Sequence, residues 1–450
     1  MGLRTKPRRI FVASILACLV LLGYYFLTKV TTPLYSHVNI KARERPLGSE
    51  ERVIADSDGG KAQSNLERKK WTDNIQVDGY SAAEWDMFDS DHVDVAIYSG
   101  TQKWTKRKTI YRTVKCNETR RTISFRNALM DVTAASSADV LIFGGGVGSL
   151  KNFQLLKKLR KPHHIWLHTS TESAFQAPPI AHYSIKIDPA FNMSFCYHSK
   201  AEVVAPYGAY IRRLEGDTGS TAITPKPDIP VLVAWASSHC EHAFWNRTGF
   251  VRDLSKYLPM DLFGGCGDSR IPRNESGSEI LKKYKFYLSF ENTCCSYYIT
   301  EKFWKALGEY ESVPIVIGSS KSEYESVAPP NSFVYADDFD SMEDLASYIK
   351  KVAKDEALYN KFHEWRKYGK VEVYTNRLVW PFVEDQNACR LLNYLEKYAW
   401  RKDHPSHMKI DPYGPDWAGS CISCGNHKWM KDYGLESKNF TERLHSLQRK

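Results

Sequence analysis

The sequence shows no internal repeat, no zinc-finger spacing and, beyond its N-terminus, no long arginine-rich or lysine-rich arm. These absences argue against a repeat architecture and against nucleic acid as a partner. That second exclusion matters because 62 Lys+Arg stand against 52 Asp+Glu, a net charge of +10. Such an excess suits a membrane surface or a phosphate-bearing small molecule equally well, so charge alone does not choose. Apolar residues are not lacking. At 42% hydrophobic and 13% aromatic the chain can fill sizeable cores, and 450 residues exceed what one core holds. Two folded domains plus extensions are expected.

Arg4, Lys6, Arg8 and Arg9 precede an apolar run over residues 10–27, closed by Thr28 and Lys29. As a helix, about 18 residues reach roughly 27 Å, enough for a thin bilayer. The heavier positive charge on the N-terminal flank keeps a short tail in the cytosol and sends the body across. A cleaved signal peptide is the alternative. It needs small residues after the apolar core, where Tyr-Tyr-Phe-Leu-Thr-Lys stands instead. Five Asn-x-Ser/Thr sequons, at Asn117, Asn192, Asn246, Asn274 and Asn439, and nine cysteines beyond the apolar run suit a luminal, oxidising environment. The expected location is the Golgi membrane, single-pass type II.

The expected divisions are a cytosolic tail (1–9), an anchor (10–28) and a polar stem (29–90), with a small module around Trp71, Trp85 and Phe88 as the alternative for the last. A first α/β domain (91–222) begins with a strand at 93–98, then a strand at 138–143, a helix at 150–161 and a strand at 164–168. Gly144 to Gly148 lacks the full dinucleotide spacing and reads as a tight turn, with a phosphate cradle as the alternative. A Thr/Gly/Pro-rich linker at 216–230 leads into a second α/β domain (228–385). Its expected strands are 231–235, 260–263, 284–290 and 313–318, and its expected helices 249–257, 300–309, 341–354 and 357–368. Residues 386–450 are expected as a disulfide-tied extension. Two Rossmann-like units place a ligand cleft between them, at the carboxyl ends of their strands.

The densest chemistry lies in Tyr-Lys-Phe-Tyr-Leu-Ser-Phe-Glu-Asn (284–292) and Tyr-Tyr-Ile-Thr-Glu-Lys-Phe-Trp-Lys-Ala-Leu (297–307). A strand delivers Glu291 and Asn292 to its end, and a helix starts near Thr300. Free N–H groups and the positive dipole end there make an anion site, to which Lys302 adds a full charge. Glu301 can accept hydrogen bonds from sugar hydroxyls. A capped helix with a surface ion pair fits the same residues.

These two segments, with Ser-Val-Pro-Ile-Val-Ile-Gly (312–318), Pro-Pro-Asn-Ser-Phe-Val (329–334), Asp337-Asp338-Phe339 and Trp365-Arg366, resemble the donor domain of the α1,3/4-fucosyltransferases. Upstream, Val-Leu-Val-Ala-Trp-Ala-Ser-Ser-His-Cys (231–240), Arg247 and residues 253–267 are similar to that family too, as are Phe191-Asn192-Met193-Ser194 and Pro206-Tyr207-Gly208. The likeness runs from about residue 166 to 366, and more weakly back to 93. It implies a GT-B fold, two Rossmann-like domains facing across a cleft, and inverting transfer of L-fucose from GDP-β-L-fucose to a GlcNAc hydroxyl, most readily in α1,3 linkage. A non-catalytic sugar-nucleotide or glycan-binding relative, and a GT-B enzyme with another donor, are the alternatives. By the same resemblance Arg247 and Lys302 hold the pyrophosphate, and Glu301 binds hydroxyls of ribose or fucose. Asn292, Tyr298 and Ser238 line the nucleotide pocket, and Glu172 is the base that deprotonates the acceptor. The expected partners are GDP-fucose and N-glycan or lactosamine-type acceptors. No cofactor is expected to be required, with stimulation by a divalent cation (Mn2+ or Mg2+) left open.

The departures are specific. Glu172 lies two residues farther along than the family pattern, and Tyr-His-Ser-Lys-Ala-Glu (197–202) replaces a basic Tyr-Arg-Arg-Asp-Ser-Asp. Tyr297 replaces an aspartate. Of Cys294-Cys295, one is expected buried and one paired elsewhere. Cys389 fits the first position of the family's Cys-x-x-Cys, whereas Leu392 replaces the second. Cys421-x-x-Cys424 with His427 admits zinc as an alternative to a disulfide, which the lack of a second ligand pair favours. No Asp-x-Asp sits at a strand end in the second domain, and Asp337-Asp338 are read as capping the following helix.

Overall fold

Long apolar runs without alternation form strands that are covered on both faces, and this chain supplies two parallel sheets of that kind. The structure, a computed structural model, describes residues 90–434 apart from 100–111, 129, 145–149, 162, 177–190, 215–218, 241–243, 273, 375–384, 400–416 and 429. All of these belong to one unit, Tyr80–Lys450. The expected tail and anchor, the stem up to residue 89, and Asn439 lie outside the described residues, as do residues 145–148 of the glycine-rich turn.

The first sheet has the spatial order β2 (Arg112–Lys115), β3 (Thr122–Asn127), β1 (His92–Ser99), β4 (Val140–Gly144), β5 (Ile165–Thr169), β6 (Met193–Cys196) and β7 (Val203–Val204). Its neighbours are parallel except for the β2–β3 pair. The second sheet has the order β10 (Met260–Phe263), β9 (Val233–Ala236), β11 (Phe286–Phe290), β13 (Val313–Ile317) and β14 (Val334–Tyr335), parallel throughout. Every residue of β5, β11 and β13 is buried, which is why these strands are legible as continuous apolar runs. Helices α1 (Val132–Ser136) and α2 (Leu150–Leu159) accompany the first sheet. The second carries α3 (Arg247–Leu254), α4 (Gly277–Leu281), α5 (Glu301–Gly308), α6 (Lys321–Val327), α7 (Met342–Lys354) and α8 (Glu356–Lys361).

Three features join the halves. An antiparallel ribbon pairs β8 (Gly208–Arg212), from the end of the first domain, with β15 (Gly369–Val373), from the end of the second. Gly208 lies in it because a Cβ there would come within 2.5 Å of the Trp304 ring on α5. A third cluster of buried side chains mixes Ala174, Phe175, Tyr197 and Tyr207 with Tyr298, Phe303, Trp304 and Trp417. Finally, α9 (Asp385–Tyr394) returns to the first sheet, where Ala388, Leu391 and Leu392 share a core with Val95, Ile123 and Val140. The start of the expected extension is therefore part of the first domain's core. Cys116–Cys389 fastens it there.

Two local expectations change. The single helix expected over 357–368 is α8 followed by a separate 3-10 turn, Glu364–Lys367. That break turns Trp365 into the interior, edge-on to Tyr210 at 5.9 Å. Asp337 and Asp338 do not cap α7, which is capped by the Ser341 side chain. Asp337 instead takes the Lys428 backbone N–H at 2.8 Å and His427 Nδ1 at 3.2 Å, and Asp338 pairs with Lys321 at 2.7 Å.

Candidate active site

In the second sheet the strand order reverses direction between β9 and β11, and ligands of open α/β sheets bind at the carboxyl ends flanking such a point. The sequence places Ser237 and Ser238 after β9 and Glu291 and Asn292 after β11. Arg247, first residue of α3, spans this gap while almost wholly buried. Its Nη1 donates to the Phe290 carbonyl at 2.9 Å, and its Nη2 to Ser237 Oγ at 2.8 Å and the His239 carbonyl at 3.1 Å. Its Nε has no protein partner. Burial lowers its pKa, an effect that Glu291 opposes. Gly264 makes the neighbouring turn possible. Its φ is +93°, and a Cβ would meet the Ser237 carbonyl oxygen at 2.3 Å. Ser238 is exposed beside that turn, with its Oγ 3.5 Å from the Gly265 amide.

Across the strand end, the enclosed Glu291 and the half-buried Lys302 form an ion pair at 3.0 Å. Glu291 Oε1 accepts the Thr300 backbone N–H at 2.7 Å, and Oε2 accepts the Thr300 hydroxyl at 2.9 Å. The carboxylate thereby holds the first turn of α5 against the end of β11. Lys302 also reaches Glu301 at 3.2 Å. Burial works against its ammonium, but Glu291 and Glu301 outweigh it and the pKa is raised. Burial likewise works against the Glu301 carboxylate, and Lys302 prevails and lowers its pKa. Burial pushes Glu291 up, with Lys302 pulling it back. Arg247 and Lys302 thus flank one strand end as fixed positive charges. Asn292 is half-buried beside them, its carbonyl accepting the Phe244 amide at 2.8 Å.

The first domain delivers Glu172 to this place. It lies in the loop after β5, exposed, with Ser170 Oγ donating to its carbonyl at 2.7 Å and accepting its amide at 3.1 Å. The Tyr207 hydroxyl holds the Thr171 carbonyl, and Phe175 stacks on Phe244 of the second domain at 5.3 Å. The Glu172 carboxylate accepts the Tyr298 hydroxyl at 2.9 Å. A carboxylate of one half is therefore in contact with the loop that leads into the lysine-bearing helix of the other.

The departures at 197–202 and at 297 prove to be neighbours. His198 meets Tyr297 edge-on at 5.6 Å, and Trp417 packs on both Tyr197 and His198, at 5.5 and 6.4 Å. Both adjacent cysteines are paired, Cys294 with Cys424 and Cys295 with Cys421, because β12 (Cys294–Cys295) runs antiparallel to β16 (Cys421–Ile422). The expectation of one unpaired partner is corrected. Cys421 and Cys424 are joined to these two rather than left for a metal. Cys240–Cys266 ties the loop after β9 to the Gly264 turn. Sequence reasoning quoted Glu291 but gave it no site role. The available signal was an acidic residue directly after five apolar or small strand residues, where only an enclosed partner makes it tolerable. Trp417, from a distant segment, gave no such signal.

The sequons are placed differently from one another. Asn117 and Asn274 are exposed on turns, and Asn246 caps α3 with its Oδ1 accepting the Gly249 amide at 2.9 Å. Asn192 Oδ1 accepts the Trp166 amide at 2.7 Å and an Arg160 N–H, a tie between the sheet's own elements.

Fold and site together define a two-domain α/β protein with two cations, Arg247 and Lys302, set at the strand ends of its second domain. Residues 227–410 match the model of glycosyltransferase family 10 (fucosyltransferase) C-term. The 3-galactosyl-N-acetylglucosaminide 4-alpha-L-fucosyltransferase FUT3 of Homo sapiens is 36% identical over 200 residues, 42% of this chain and 52% of that one. The 4-galactosyl-N-acetylglucosaminide 3-alpha-L-fucosyltransferase FUT6 of Homo sapiens is 35% identical over 223 residues, 47% and 57% respectively. The chain spans about half the length of the curated relatives it matches. A crystal structure of an alpha1,3-fucosyltransferase aligns at 17% identity and a TM-score of 0.43, covering 74% of this chain and 97% of that one.

Proposed function

We propose that this chain is an inverting fucosyltransferase that moves L-fucose from GDP-β-L-fucose to a GlcNAc hydroxyl of lactosamine-type or N-linked glycans, in α1,3 linkage. The observation that carries the reading is the convergence of Arg247 and Lys302 on one strand end, with Glu172 of the other domain hydrogen-bonded to Tyr298 beside them. In the reaction, Glu172 takes the proton of the acceptor hydroxyl. That oxygen forms a bond to C1 of fucose while the bond from C1 to the β-phosphate oxygen breaks, and GDP leaves with the electron pair. One carboxylate suffices for a single displacement. Charge developing on the leaving diphosphate is met by Arg247 and Lys302, cations held at the strand end by the Phe290 carbonyl and by Glu291.

Glu301, Asn292, Tyr298 and Ser238 line the donor side in this reading. Because the two cations neutralise the diphosphate, no metal is required, and Mn2+ or Mg2+ acts at most as a stimulant. The four disulfides among the described residues support an oxidising, luminal setting. We place the chain in the Golgi membrane, anchored through residues 10–28.

The test is incubation of the full-length chain with GDP-fucose and a panel of defined lactosamine and N-glycan acceptors, with mass-spectrometric linkage analysis and an EDTA arm. Expected is an α1,3-fucosylated product with EDTA leaving activity measurable. Donor binding without transfer to any acceptor points to a non-catalytic relative. Preference for another nucleotide sugar points to a different donor.

A further inference from the structure

A lysine ammonium has three N–H bonds to donate, and Lys302 has committed all three. They go to Thr300 Oγ1 at 2.8 Å, Glu291 Oε2 at 3.0 Å and Glu301 Oε1 at 3.2 Å. A diphosphate reaching Lys302 therefore has to take the place of one of these partners. The three are not equivalent. The Glu291 side chain is wholly enclosed, at 0% exposed, and both its oxygens are fixed by Thr300, through the amide at 2.7 Å and the hydroxyl at 2.9 Å. Thr300 is itself buried, and its hydroxyl donates to Glu291 while accepting from Lys302. Glu301 is different: its side chain is 38% exposed, and its bond to Lys302 is the longest.

We propose that Glu291 is the permanent partner that positions Lys302 for the donor diphosphate. Glu301 is the exchangeable one, giving up its place on the ammonium when the diphosphate arrives and turning to the donor's sugar hydroxyls. The inference rests on the reading of the chain as a GDP-fucose transferase. Glu291 is a positioning residue here, since it acts on the donor only through Lys302.

The arrangement makes an expectation opposite to simple electrostatics. Removing a carboxylate from an anion site should tighten anion binding, because a repulsion is lost. Glu291 breaks that rule because it holds the cation in place and keeps it charged. The groups facing Lys302 are Glu291, Glu301, the Arg247 guanidinium and the Tyr287 hydroxyl; Tyr197, Tyr207, Tyr298, Tyr324 and Arg247 face Glu291 in turn. Of these, Glu291 and Glu301 favour the ammonium and Arg247 opposes it, so losing Glu291 moves the loss of charge to lower pH.

The test measures equilibrium binding of GDP and of GDP-fucose to the purified full-length chain from pH 6 to 9. Glu291→Gln is expected to bind GDP about tenfold more weakly at pH 7. In turnover its donor KM rises while kcat at saturating donor stays within about twofold. Glu301→Gln is expected to bind GDP at least as tightly as the unaltered chain while losing the extra affinity for GDP-fucose. Glu291→Gln that folds and binds GDP with unchanged affinity and pH dependence overturns the inference. If circular dichroism shows that this variant does not fold, Thr300→Val decides. Removal of the bridging hydroxyl should weaken GDP binding about threefold, with Thr300→Ser restoring it; equal binding by all three chains overturns the inference. An unaltered chain that binds no GDP or GDP-fucose removes the functional reading itself, and the inference with it.

Discussion

Lys302 and Glu172 both carry charge into the cleft, but they ask different questions of an experiment. Lys302 is half-buried and touches the donor's diphosphate in the proposed reaction, so Lys302→Ala should act on donor binding. Loss of a hydrogen-bonded charge from such a site costs about 2 kcal/mol or more, and a roughly thirtyfold rise in donor KM is expected by steady-state kinetics. Glu172 contacts the donor side only through Tyr298, at 2.9 Å. Glu172→Gln should keep GDP-fucose affinity in a binding assay while kcat falls by about 10²- to 10⁴-fold, the range for a general base. Unchanged turnover in that variant moves the base to another group.

At the scale of elements, α9 ties the C-terminal part of the chain to the N-terminal sheet. It is a helix from the C-terminal part of the chain that completes the core of the N-terminal sheet, with Leu391 and Leu392 at 0% exposure. Leu391→Ala should cost about 2–5 kcal/mol, the loss from burying less apolar surface plus the cavity left behind. Chemical denaturation under oxidising conditions measures it. A change below about 0.5 kcal/mol, the scale of surface positions, would mean that α9 does not pack as described. The same element shows a limit of local reading. Its amphipathic pattern is visible in the sequence, but its apolar face fits a sheet built from residues about 180 to 300 positions earlier, and nothing local names that target. The two-residue strands β12 and β16 are similar. Each is too short to show periodicity, and only their mutual pairing, Cys294 with Ile422 and Cys295 with Cys421, defines them.

At the scale of the whole molecule, stability should depend on pH through histidines folded away from water. Both ring nitrogens of His168 and of His363 lack protein partners, and the residues are 5% and 2% exposed. Burial lowers the pKa of His168 to about 4 and that of His363 to about 3, from an ordinary 6.5. Between those values and 6.5 the unfolded chain binds more protons than the folded one. Stability is therefore intact above 6.5 and falls as pH drops below it. The loss is about 2 kcal/mol for each histidine by pH 5. Thermal melting from pH 7.5 to 5 should show it, and His363→Gln should flatten the decline; a melting temperature level across that range would contradict the buried neutral state.

Much of the site was legible because its parts are local. The strand ending at Phe290, the helix opening at Glu301 and the lysine in its first turn all lie within a few residues, and period and propensity depend on such neighbours. The charge and type of Arg247, Lys302 and Glu172 were legible for the same reason. What tertiary structure alone decided is which groups meet: Glu172 with Tyr298 across two domains, Arg247 with the Phe290 carbonyl, His198 with Tyr297, and the cysteine pairs with one another. Periodicity records which face of an element is buried, because burial acts residue by residue. Partners brought together over about 40 to 130 residues leave no such record, since either one looks the same in sequence whether or not the other arrives.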